Sequence, residues 1–378
     1  MPKLTQAFAS QLEIALPRIW QRRGPWALLL WPLSLLMRLL VALRQGLYRR
    51  GVLKSESVRV PVVVVGNVVV GGGGKTPTVI AIVEHLRERG YKPGAISRGY
   101  GRHVENEDDD VLEVLPSRPV QQTGDEPALI QRRTNAPVFV GRRRIDAART
   151  LLAKYREVNV IVCDDGLQHL ALRRDVEICV FGDRGIGNGF LLPAGPLREP
   201  WPSDSALQEP WQKSQTLNAT APSRPSQIVL HTGGHKAFDE GHAARRALAS
   251  KALTANGQRV ELQGLEAKAL IAVAGTAQPQ AFFDMLATQG LELSQTLALP
   301  DHASVDDYAA SLQGLDLADA AILCTEKDAA KLWQVQPQAL AVPLDFTLPQ
   351  AFLDEFDLLL ADAFKAKLSS AYNLDDAS

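Results

Sequence analysis

Short apolar runs alternate with helix-like segments along most of the chain. Residues 58–65 (VRVPVVVV) are rich in β-branched side chains and end at Gly66, a pattern that predicts a buried strand. A glycine-rich loop follows, and then a predicted helix over 75–89 that Gly90 closes. The other elements predicted in this half are strands at 92–97, 137–140, 158–163 and 176–181, and a helix that begins near Asp125 with Pro127 in its first turn.

A second alternation of strands and helices begins after residue 225. Residues 200–225 are rich in Pro, Ser, Gln and Trp without a clear period, which predicts a connection between domains. Strands that alternate with helices at this spacing build mostly parallel, doubly wound sheets, so we predict an α/β fold with a second, smaller α/β domain. Its predicted elements are strands at 226–231, 269–274, 320–324 and 340–346, helices at 279–289 and 327–334, and a last amphipathic helix at about 349–367.

The N-terminal part holds a strongly apolar run, 26–43 (WALLLWPLSLLMRLLVAL), which Pro32 and Arg38 interrupt. A spanning helix needs about 20 apolar residues with few or no charges, and a signal peptide places its basic region first. Two tryptophans and flanking arginines instead favour a helix that lies in the membrane interface, with its cations near anionic headgroups. Two alternatives stay open here: a helix that covers the core, and a single membrane span.

Composition narrows the classes of protein. The chain has 378 residues with 41 Lys and Arg against 42 Asp and Glu, so its net charge of −1 argues against a nucleic-acid partner. The three cysteines Cys163, Cys179 and Cys324 lie in apolar, strand-like runs, and no CxxC pair exists. We therefore predict buried, reduced thiols and exclude both a disulfide framework and a zinc site.

The glycine-rich loop, residues 69–76 (VVGGGGKT), stands between a predicted strand and a predicted helix, which is the setting of a phosphate loop. Backbone N–H groups of such a loop surround ATP phosphates, and the helix N-terminus adds partial positive charge. Lys75 can reach the β and γ phosphates during catalysis, and the Thr76 hydroxyl can bind Mg²⁺. The usual pattern has Gly at position 69, where this chain has Val69. The predicted ATP-binding residues are Val69, Val70, Gly71, Gly72, Gly73, Gly74, Lys75 and Thr76.

A pair of acids follows another predicted strand. The run VNVIVCDD ends in Asp164 and Asp165, and a carboxylate at such a strand end can hold Mg²⁺ directly or through water. Paired acids after a strand also occur as helix caps. Because the phosphate loop is present and Gly166 follows, the metal interpretation is favoured.

Eight short motifs follow one another along the chain: GN at 66–67, GGGGKTP at 71–77, SRGYG at 97–101, GDEP at 124–127, DDGLQH at 164–169, PAGPLREP at 193–200, DH at 301–302 and TEKDA at 325–329. This ordered set resembles the tetraacyldisaccharide 4'-kinase family from about residue 20 to 340. The resemblance implies an ATP- and Mg²⁺-dependent kinase that phosphorylates the 4'-hydroxyl of a tetraacylated, phosphorylated glucosamine disaccharide. It also implies work at the cytoplasmic face of a bacterial inner membrane, as a peripheral or monotopic protein.

The resemblance also implies a catalytic pair. Asp125 matches the family's base, which accepts the proton of the sugar hydroxyl, and His302 matches its orienting partner. Without the resemblance, Asp125 would more often be a helix N-cap and His302 a structural residue. Arg198 is expected to neutralise phosphoryl charge and Glu199 to complete the Mg²⁺ ligands, although a surface ion pair is the alternative for these two.

Further residues are expected near the acceptor. Ser97, Arg98 and Tyr100 follow a predicted strand and are candidates for binding the sugar or its phosphate, and Gln168 and His169 are expected close by. The predicted partners are the lipid disaccharide substrate and an anionic membrane surface, with no nucleic acid and no protein partner. The predicted division is a membrane-associating helix region at 1–50, a P-loop ATP-binding kinase domain at 51–222, a smaller α/β domain at 223–370 and a tail at 371–378.

Departures from the family pattern and rival classes complete the prediction. Leu167 and Ala303 stand where the family often has Phe and a second His. ParA- and MinD-like ATPases, which position partners on membranes, are the main alternative, but they carry a Lys where this chain has Val70. GTPase metallochaperones need an NKxD motif, and the TEKD at 325–328 does not supply it.

Overall fold

The computed structural model describes residues 16–71, 73–102, 110–202, 226–265, 269–317 and 319–375. The chain forms two compact units, of which the first contains Met1–Lys75, Asp165–Ala243 and Ala351–Ser378 and the second contains Thr76–Asp164 and Ala244–Gln350. Both units are discontinuous in sequence, whereas consecutive domains were expected at 1–50, 51–222 and 223–370, and those boundaries stay a prediction. Gly72, residues 103–109 and the predicted connection from residue 203 onward lie outside the described residues.

The helices of the described residues are α1 (Pro25–Arg49), α2 (Lys75–Glu88), α3 (Val120–Thr123), α4 (Asp125–Thr134), α5 (Arg144–Lys154), α6 (Pro279–Thr288), α7 (Val305–Leu312), α8 (Glu326–Val335) and α9 (Gln350–Asp375). The strands are β1 (Val62–Gly66), β2 (Pro93–Ser97), β3 (Val111–Glu113), β4 (Val138–Gly141), β5 (Val160–Asp164), β6 (Val176–Phe181), β7 (Ser226–His231), β8 (His242–Ala243), β9 (Arg245–Leu248), β10 (Lys251–Leu253), β11 (Arg259–Glu261), β12 (Ala269–Ala274), β13 (Leu293–Ala298), β14 (Ala320–Thr325), β15 (Leu340–Val342) and β16 (Leu344–Thr347).

The first unit contains the strand that leads into the phosphate loop. Strand β1 is buried along its whole length and pairs in parallel with β6, which pairs in parallel with β7, and β7 with β8. A strand covered on both faces needs a continuous apolar run, which explains the sequence VVVV. Helix α9 contributes Phe352, Phe356 and Leu360 to the core, spaced four residues apart on one face. The predicted strands at 176–181 and 226–231 and the last helix are confirmed, whereas the strand predicted at 58–65 begins only at Val62.

The second unit contains strands from both halves of the sequence. Strands β4, β2 and β5 are parallel neighbours, and the short β3 adds an antiparallel edge beside β4. Its second sheet has the order β11-β10-β15-β14-β12-β13, in which β15 to β13 are parallel. Apolar clusters cover both faces of this second sheet. The mostly parallel α/β architecture is therefore confirmed.

One predicted strand is wrong as a single element. The run 340–346 divides at Pro343 into β15, which pairs with β14 and β10, and β16, which pairs with β9. Proline has no N–H to donate to a strand ladder, so the pairing cannot continue through it. The Pro343 carbonyl instead accepts a hydrogen bond from Ala249 N (2.9 Å).

Helix α1 contacts the rest of its unit along a narrow stripe. Ala27 and Ser34, two turns apart, are its buried residues, and the Ser34 hydroxyl donates to Leu191 O (2.7 Å) and accepts from Ala194 N (3.0 Å). Most of its large apolar side chains are exposed, which argues against a helix that covers the core. Among the described helices it alone is long and apolar enough to cross a membrane by length and composition, with a mean hydropathy of 2.0. The exposed residues are Trp26, Leu28, Leu29, Trp31, Leu33, Leu35, Leu36, Leu39, Leu40 and Leu43.

Candidate active site

The phosphate loop joins β1 to α2, which begins at Lys75. Gly71 and Gly74 have the left-handed φ values 68° and 95°, which side chains rarely adopt. A Cβ at Gly74 would also lie 2.4 Å from the Thr232 hydroxyl oxygen, so no larger residue fits. The buried Thr232 donates that hydroxyl to Gly73 O (3.0 Å) and thereby fixes the end of the loop. Sequence reasoning missed Thr232 because it lies far along the chain and in no recognised motif.

The start of the loop pairs with the segment that carries Arg198. Val69 forms an isolated bridge with Leu197, and Val70 N donates to Pro196 O (2.9 Å). The Val69 side chain is buried in this contact, and its φ lies outside the left-handed region. A β-branched residue therefore suits position 69 where the common motif has Gly, and the pairing fixes Arg198 beside the loop.

Two cations approach the same oxygen at this end of the first unit. Lys75 Nζ lies 3.9 Å and the Arg198 guanidinium 3.5 Å from Asp165 Oδ1. Lys75 Nζ also lies 3.5 Å from Oδ1 of the fully buried Asn67. These separations are longer than the usual 2.7–2.9 Å of a charge-assisted hydrogen bond. Asn67 was not among the predicted site residues, although it stands in the GN motif that carried part of the resemblance.

Gln168 holds the other side of this cluster, which we call the phosphate cluster (Asn67, Lys75, Asp165, Gln168, Arg198 and Glu199). Its amide donates to Glu199 Oε1 (2.7 Å) and to Asn67 O (3.2 Å), and its oxygen accepts from Arg198 (3.4 Å). Gln45 of α1 donates to the other Glu199 oxygen (3.4 Å). The apolar N-terminal helix therefore contacts a predicted Mg²⁺ ligand directly.

The remaining predicted metal ligands lie at strand and helix ends. Asp164 is the buried last residue of β5, and Thr76 is the second residue of α2. No group of three or more His, Cys, Asp or Glu side chains among the described residues could hold a metal by itself. Mg²⁺ is commonly held through one or two carboxylates together with substrate phosphates and water, so oxygen donors such as these fit it.

The second unit places Asp125 at the start of α4. The N-cap of this helix is Gly124, with no side-chain cap hydrogen bond, so the N-cap alternative for Asp125 is wrong. Gly124 has a φ of 95°, and a Cβ there would lie 3.2 Å from Gly99 Cα in the SRGYG loop. The close backbone packing of Gly124 and Gly99 fixes the point where helix α4 begins. The buried Asp125 carboxylate follows Gly124 and does not cap the helix.

Asp125 is bound by two side chains from distant sequence. His302 Nδ1 donates to Asp125 Oδ2 (3.2 Å), and Lys331 Nζ donates to the same oxygen (2.7 Å). His302 has a left-handed φ of 62°, an uncommon conformation that functional sites often hold. The structure thus brings together the predicted pair Asp125 and His302, and it adds Lys331, which the sequence analysis missed. The available signal was the TEKDAAK run, in which Lys327 and Lys331 are four residues apart.

Hydrogen bonds set the charges of this pair. Burial would raise the pKa of Asp125, but the bonds from His302 and Lys331 outweigh it and lower the pKa below its ordinary value. The bond to Asp125 raises the pKa of His302, and burial opposes this only in part. Both shifts favour a carboxylate beside an imidazolium.

The residues predicted to bind the acceptor are placed separately. Ser97 is the buried end of β2, Arg98 is exposed, and the exposed Tyr100 ring lies 5.4 Å from the His302 ring. In the first unit His169 is half-buried, and its backbone N–H donates to Gly166 O (2.9 Å). Tyr100 is therefore the one of these that contacts the Asp125–His302 pair directly.

Comparison with known proteins settles the family. A family model described as tetraacyldisaccharide-1-P 4'-kinase matches residues 26–361. The chain belongs to this family. It is 51% identical over 353 residues to the tetraacyldisaccharide 4'-kinase of Polaromonas naphthalenivorans (strain CJ2), covering 92% of this chain and 95% of the relative. It is 43% identical over 369 residues to that of Leptothrix cholodnii, covering 92% and 96%.

A solved structure of the same family has a similar fold. It is LpxK from Aquifex aeolicus in complex with ATP, with a TM-score of 0.69 and 25% identity over 89% of this chain and 99% of that one. Membership of a tetraacyldisaccharide 4'-kinase family confirms the predicted resemblance and the predicted kinase class. It decides against the ParA- and MinD-like alternative.

The three cysteines bear out the prediction of buried thiols. Cys163, Cys179 and Cys324 are free and buried. Burial raises the pKa of the Cys179 and Cys324 thiols well above the ordinary value, so both are unreactive protonated groups.

Proposed function

We propose that this protein transfers the γ-phosphoryl group of ATP to the 4'-hydroxyl of a tetraacyl glucosamine disaccharide 1-phosphate, with Asp125 as the base. The observation that supports this role is the buried Asp125 carboxylate, held at 3.2 Å by His302 and kept ionised by its partners. A sugar hydroxyl is a poor nucleophile at neutral pH, and a carboxylate within hydrogen-bond reach accepts its proton as attack proceeds.

The bond changes follow from this assignment. The 4'-oxygen forms a bond to the γ-phosphorus, the bond from that phosphorus to the β,γ-bridging oxygen breaks, and ADP leaves. The hydroxyl proton passes to Asp125, and the His302 imidazolium stabilises the carboxylate in the orientation that receives it. The His302 hydrogen bond to Asp125 involves Nδ1, and Nε2 lies 3.8 Å from Glu126 Oε1 and 3.9 Å from Asp301 Oδ2, so the proton leaves the pair on this side after each turnover.

The phosphate cluster stabilises the negative charge of the phosphates during transfer. Lys75 and Arg198 contribute two cations to the phosphates, and the loop backbone from Val69 to Gly74 surrounds them. Mg²⁺ would neutralise charge on the phosphates when bound with ATP, and Thr76, Asp164, Asp165 and Glu199 are the residues whose oxygens would hold it. Gln168 supports this set by holding Glu199 and Arg198 in place.

The acceptor and the membrane complete the proposal. Tyr100, beside His302, offers a ring and a hydroxyl to the sugar, and Ser97, Arg98 and His169 are further candidates for the sugar or its phosphate. The exposed leucines of α1 bury themselves in the interface of an anionic membrane at the cytoplasmic face, where a substrate with four acyl chains resides.

The test is transfer of labelled phosphate from ATP to the purified disaccharide acceptor in detergent micelles. We expect acceptor-dependent labelling of the 4'-position, and its loss in Asp125→Asn with unchanged ATP binding. Asp146→Asn is the matched control, since Asp146 is a partly exposed acid of α5 that pairs with Arg143 at 3.2 Å. ATP turnover without labelling of the lipid would overturn the acceptor assignment.

A further inference from the structure

Helix α8 presents two ammonium groups to acids at the start of α4. Lys327 and Lys331 are four residues apart and so lie on one face of the helix. Lys331 Nζ lies 2.7 Å from Asp125 Oδ2, and Lys327 Nζ lies 2.9 Å from Glu126 Oε1. Lys327 also lies 2.7 Å from Asp301 Oδ1, next to His302 in sequence. Lys331 therefore binds the proposed base, and Lys327 binds the neighbouring acids Glu126 and Asp301.

The Lys331 contact is a buried ion pair. The exposed fraction of the side chain is 11% for Lys331 and 6% for Asp125. Lys331 and His302 both bind Oδ2 of this carboxylate, and no residue among those described binds Oδ1. Two donors on one oxygen fix the plane of the carboxylate and keep the second oxygen available as a proton acceptor.

We propose that Lys331 is a positioning residue for the phosphoryl transfer, which keeps Asp125 ionised and turned so that Oδ1 receives the acceptor's proton. This inference rests on the proposed function, in which Asp125 is the base. Lys331 itself touches neither substrate in this account, and it acts only through the carboxylate.

The electrostatics of the pair support this role. Burial opposes the charged form of Asp125, and the bonds from His302 and Lys331 offset it, so the pKa of Asp125 stays below its ordinary value. Removing the ammonium leaves His302 as the remaining direct donor, and the pKa of the buried carboxyl must then rise. The titratable groups around Asp125 are Glu126 on its own helix, Asp301 and His302 before α7, Tyr308 on α7, and Lys327 and Lys331 on α8.

The contact between α4 and α8 does not depend on Lys331 alone. Arg133 of α4 pairs with Glu326 of α8 at 2.6 Å, and Arg132 donates to Glu326 O at 2.6 Å. These ties hold the two helices together at the opposite end of α4. A variant at Lys331 should therefore fold, and its effect can be separated from loss of the helix contact.

The experiment measures kcat and KM against pH for wild type, Lys331→Met and Lys331→Arg, with ATP and the lipid disaccharide in micelles. We expect Lys331→Met to lower kcat at neutral pH at least about tenfold and to move the acidic limb of the kcat profile upward by about one pH unit or more. KM for ATP should stay unchanged, and Lys331→Arg should restore most of the rate. In an Asp125→Asn background, Lys331→Met should change kcat by less than about twofold, because the group it acts through is gone.

Arg133→Met is the matched control, since it removes a cation between the same helices without touching Asp125. An unmoved acidic limb in a folded Lys331→Met protein, or an equal shift in Arg133→Met, would overturn the inference. If Lys331→Met does not fold, Lys331→Gln, which keeps a donor without the charge, is held to the same expectation. Full activity of Asp125→Asn would instead overturn the base assignment, which separates failure of the proposed function from failure of this inference.

Discussion

The phosphate cluster of the first unit and the base cluster of the second (Asp125, Glu126, Asp301, His302, Lys327 and Lys331) differ in how tightly their charges are paired. In the base cluster the separations from Lys331 and His302 to Asp125 are 2.7 and 3.2 Å. In the phosphate cluster the cations lie 3.5 and 3.9 Å from Asp165. The proposed base is held by two charged partners of the fold itself, which is the preorganisation that fixed catalytic dipoles require. The cations of the phosphate cluster lie farther from their carboxylate, as suits groups whose main partners are the phosphates of ATP.

The largest expected effect on kcat comes from a change in the base cluster. Asp125→Asn should lower kcat by about 10²–10⁴ because it removes the proton acceptor. ATP affinity should be nearly unchanged, since Asp125 contacts the base cluster alone. Single-turnover kinetics together with nucleotide titration check both parts. A collapse of nucleotide affinity would show that Asp125 serves the phosphates, and the contrast between the clusters would then be mistaken.

Lys75→Ala should have the next largest effect. It removes a cation from the transferring phosphate, and such contacts contribute roughly 10²–10³ in rate. The fold should be intact, because Lys75 is half-buried and its separations from Asp165 and Asn67, 3.9 and 3.5 Å, are longer than those of a charge-assisted hydrogen bond. Steady-state rates and thermal unfolding of the purified variant measure the two quantities. Wild-type turnover would exclude the phosphate-loop assignment.

Asp165→Asn tests whether the Asp165 carboxylate is a ligand of Mg²⁺. We expect the Mg²⁺ concentration for half-maximal rate to rise about tenfold, because one oxygen donor loses its charge. The acidic limb of the kcat profile should stay in place, since that limb belongs to the base cluster. A Mg²⁺ titration at saturating ATP provides the measurement. If the Mg²⁺ dependence is unaltered, Asp165 only balances Lys75 and Arg198.

Variants of helix α1 test whether membrane attachment affects catalysis at the phosphate cluster. Deletion of residues 1–50, or replacement of Leu29, Leu36 and Leu43 by Gln, should release the protein from anionic vesicles, because each exposed leucine loses about 1.5–3 kcal/mol of apolar burial. KM for the lipid should rise more than kcat falls. Vesicle sedimentation with and without high salt checks the attachment.

Comparing the two versions of this change tests the contacts of α1 with its own unit, which include those of Gln45 with Glu199 and of Ser34 with Leu191 and Ala194. The deletion removes these contacts and the leucine variant keeps them, so a lower kcat in the deletion alone would show that they support the phosphate cluster. Equal vesicle binding by wild type and both variants would move the anchor to another part of the chain.

The smallest expected effect is a pH-dependent stability of the base cluster. The pKa of His302 is raised above its ordinary 6.5 by Asp125, so its contribution is fully present below pH 6.5 and is lost as pH rises through the raised pKa. The melting temperature of His302→Gln should therefore lie below wild type in mildly acidic buffer, and the gap should narrow at alkaline pH. Thermal unfolding across this range measures it. A gap that widens with pH would show that His302 is neutral in the fold.

Much of the fold was predictable because apolar runs of fixed length are local signals. β1, β2, β6, β7, β12 and β14 lie where the pattern placed them. Helix α5 was missed because its buried positions include the small Ala147 and Ala148, which give a weak period. Helix α7 was missed because its capping box uses Ser304 with Asp307, where the common signature has Glu or Gln.

The candidate site divides in the same way. The phosphate loop and the acid pair are sequence-local, and they could be read from spacing. The contacts of Asp125 with His302 and Lys331 join residues 177 and 206 positions apart, so no spacing rule reaches them, and family resemblance supplied only the first. Lys331 carries no motif of its own, and its role follows only from which face of α8 meets α4.

The stripe on α1 has a consequence for how the helix can vary among related sequences. Ala27 has no exposed surface and Ser34 uses its hydroxyl twice, so these positions should accept few replacements. The outward leucines would meet fluid acyl chains, which impose no fixed shape, and there any similarly apolar residue should serve. The two faces of this helix therefore restrict residue type differently. The face toward the protein requires a particular size and hydrogen-bonding group, and the opposite face requires only hydrophobicity.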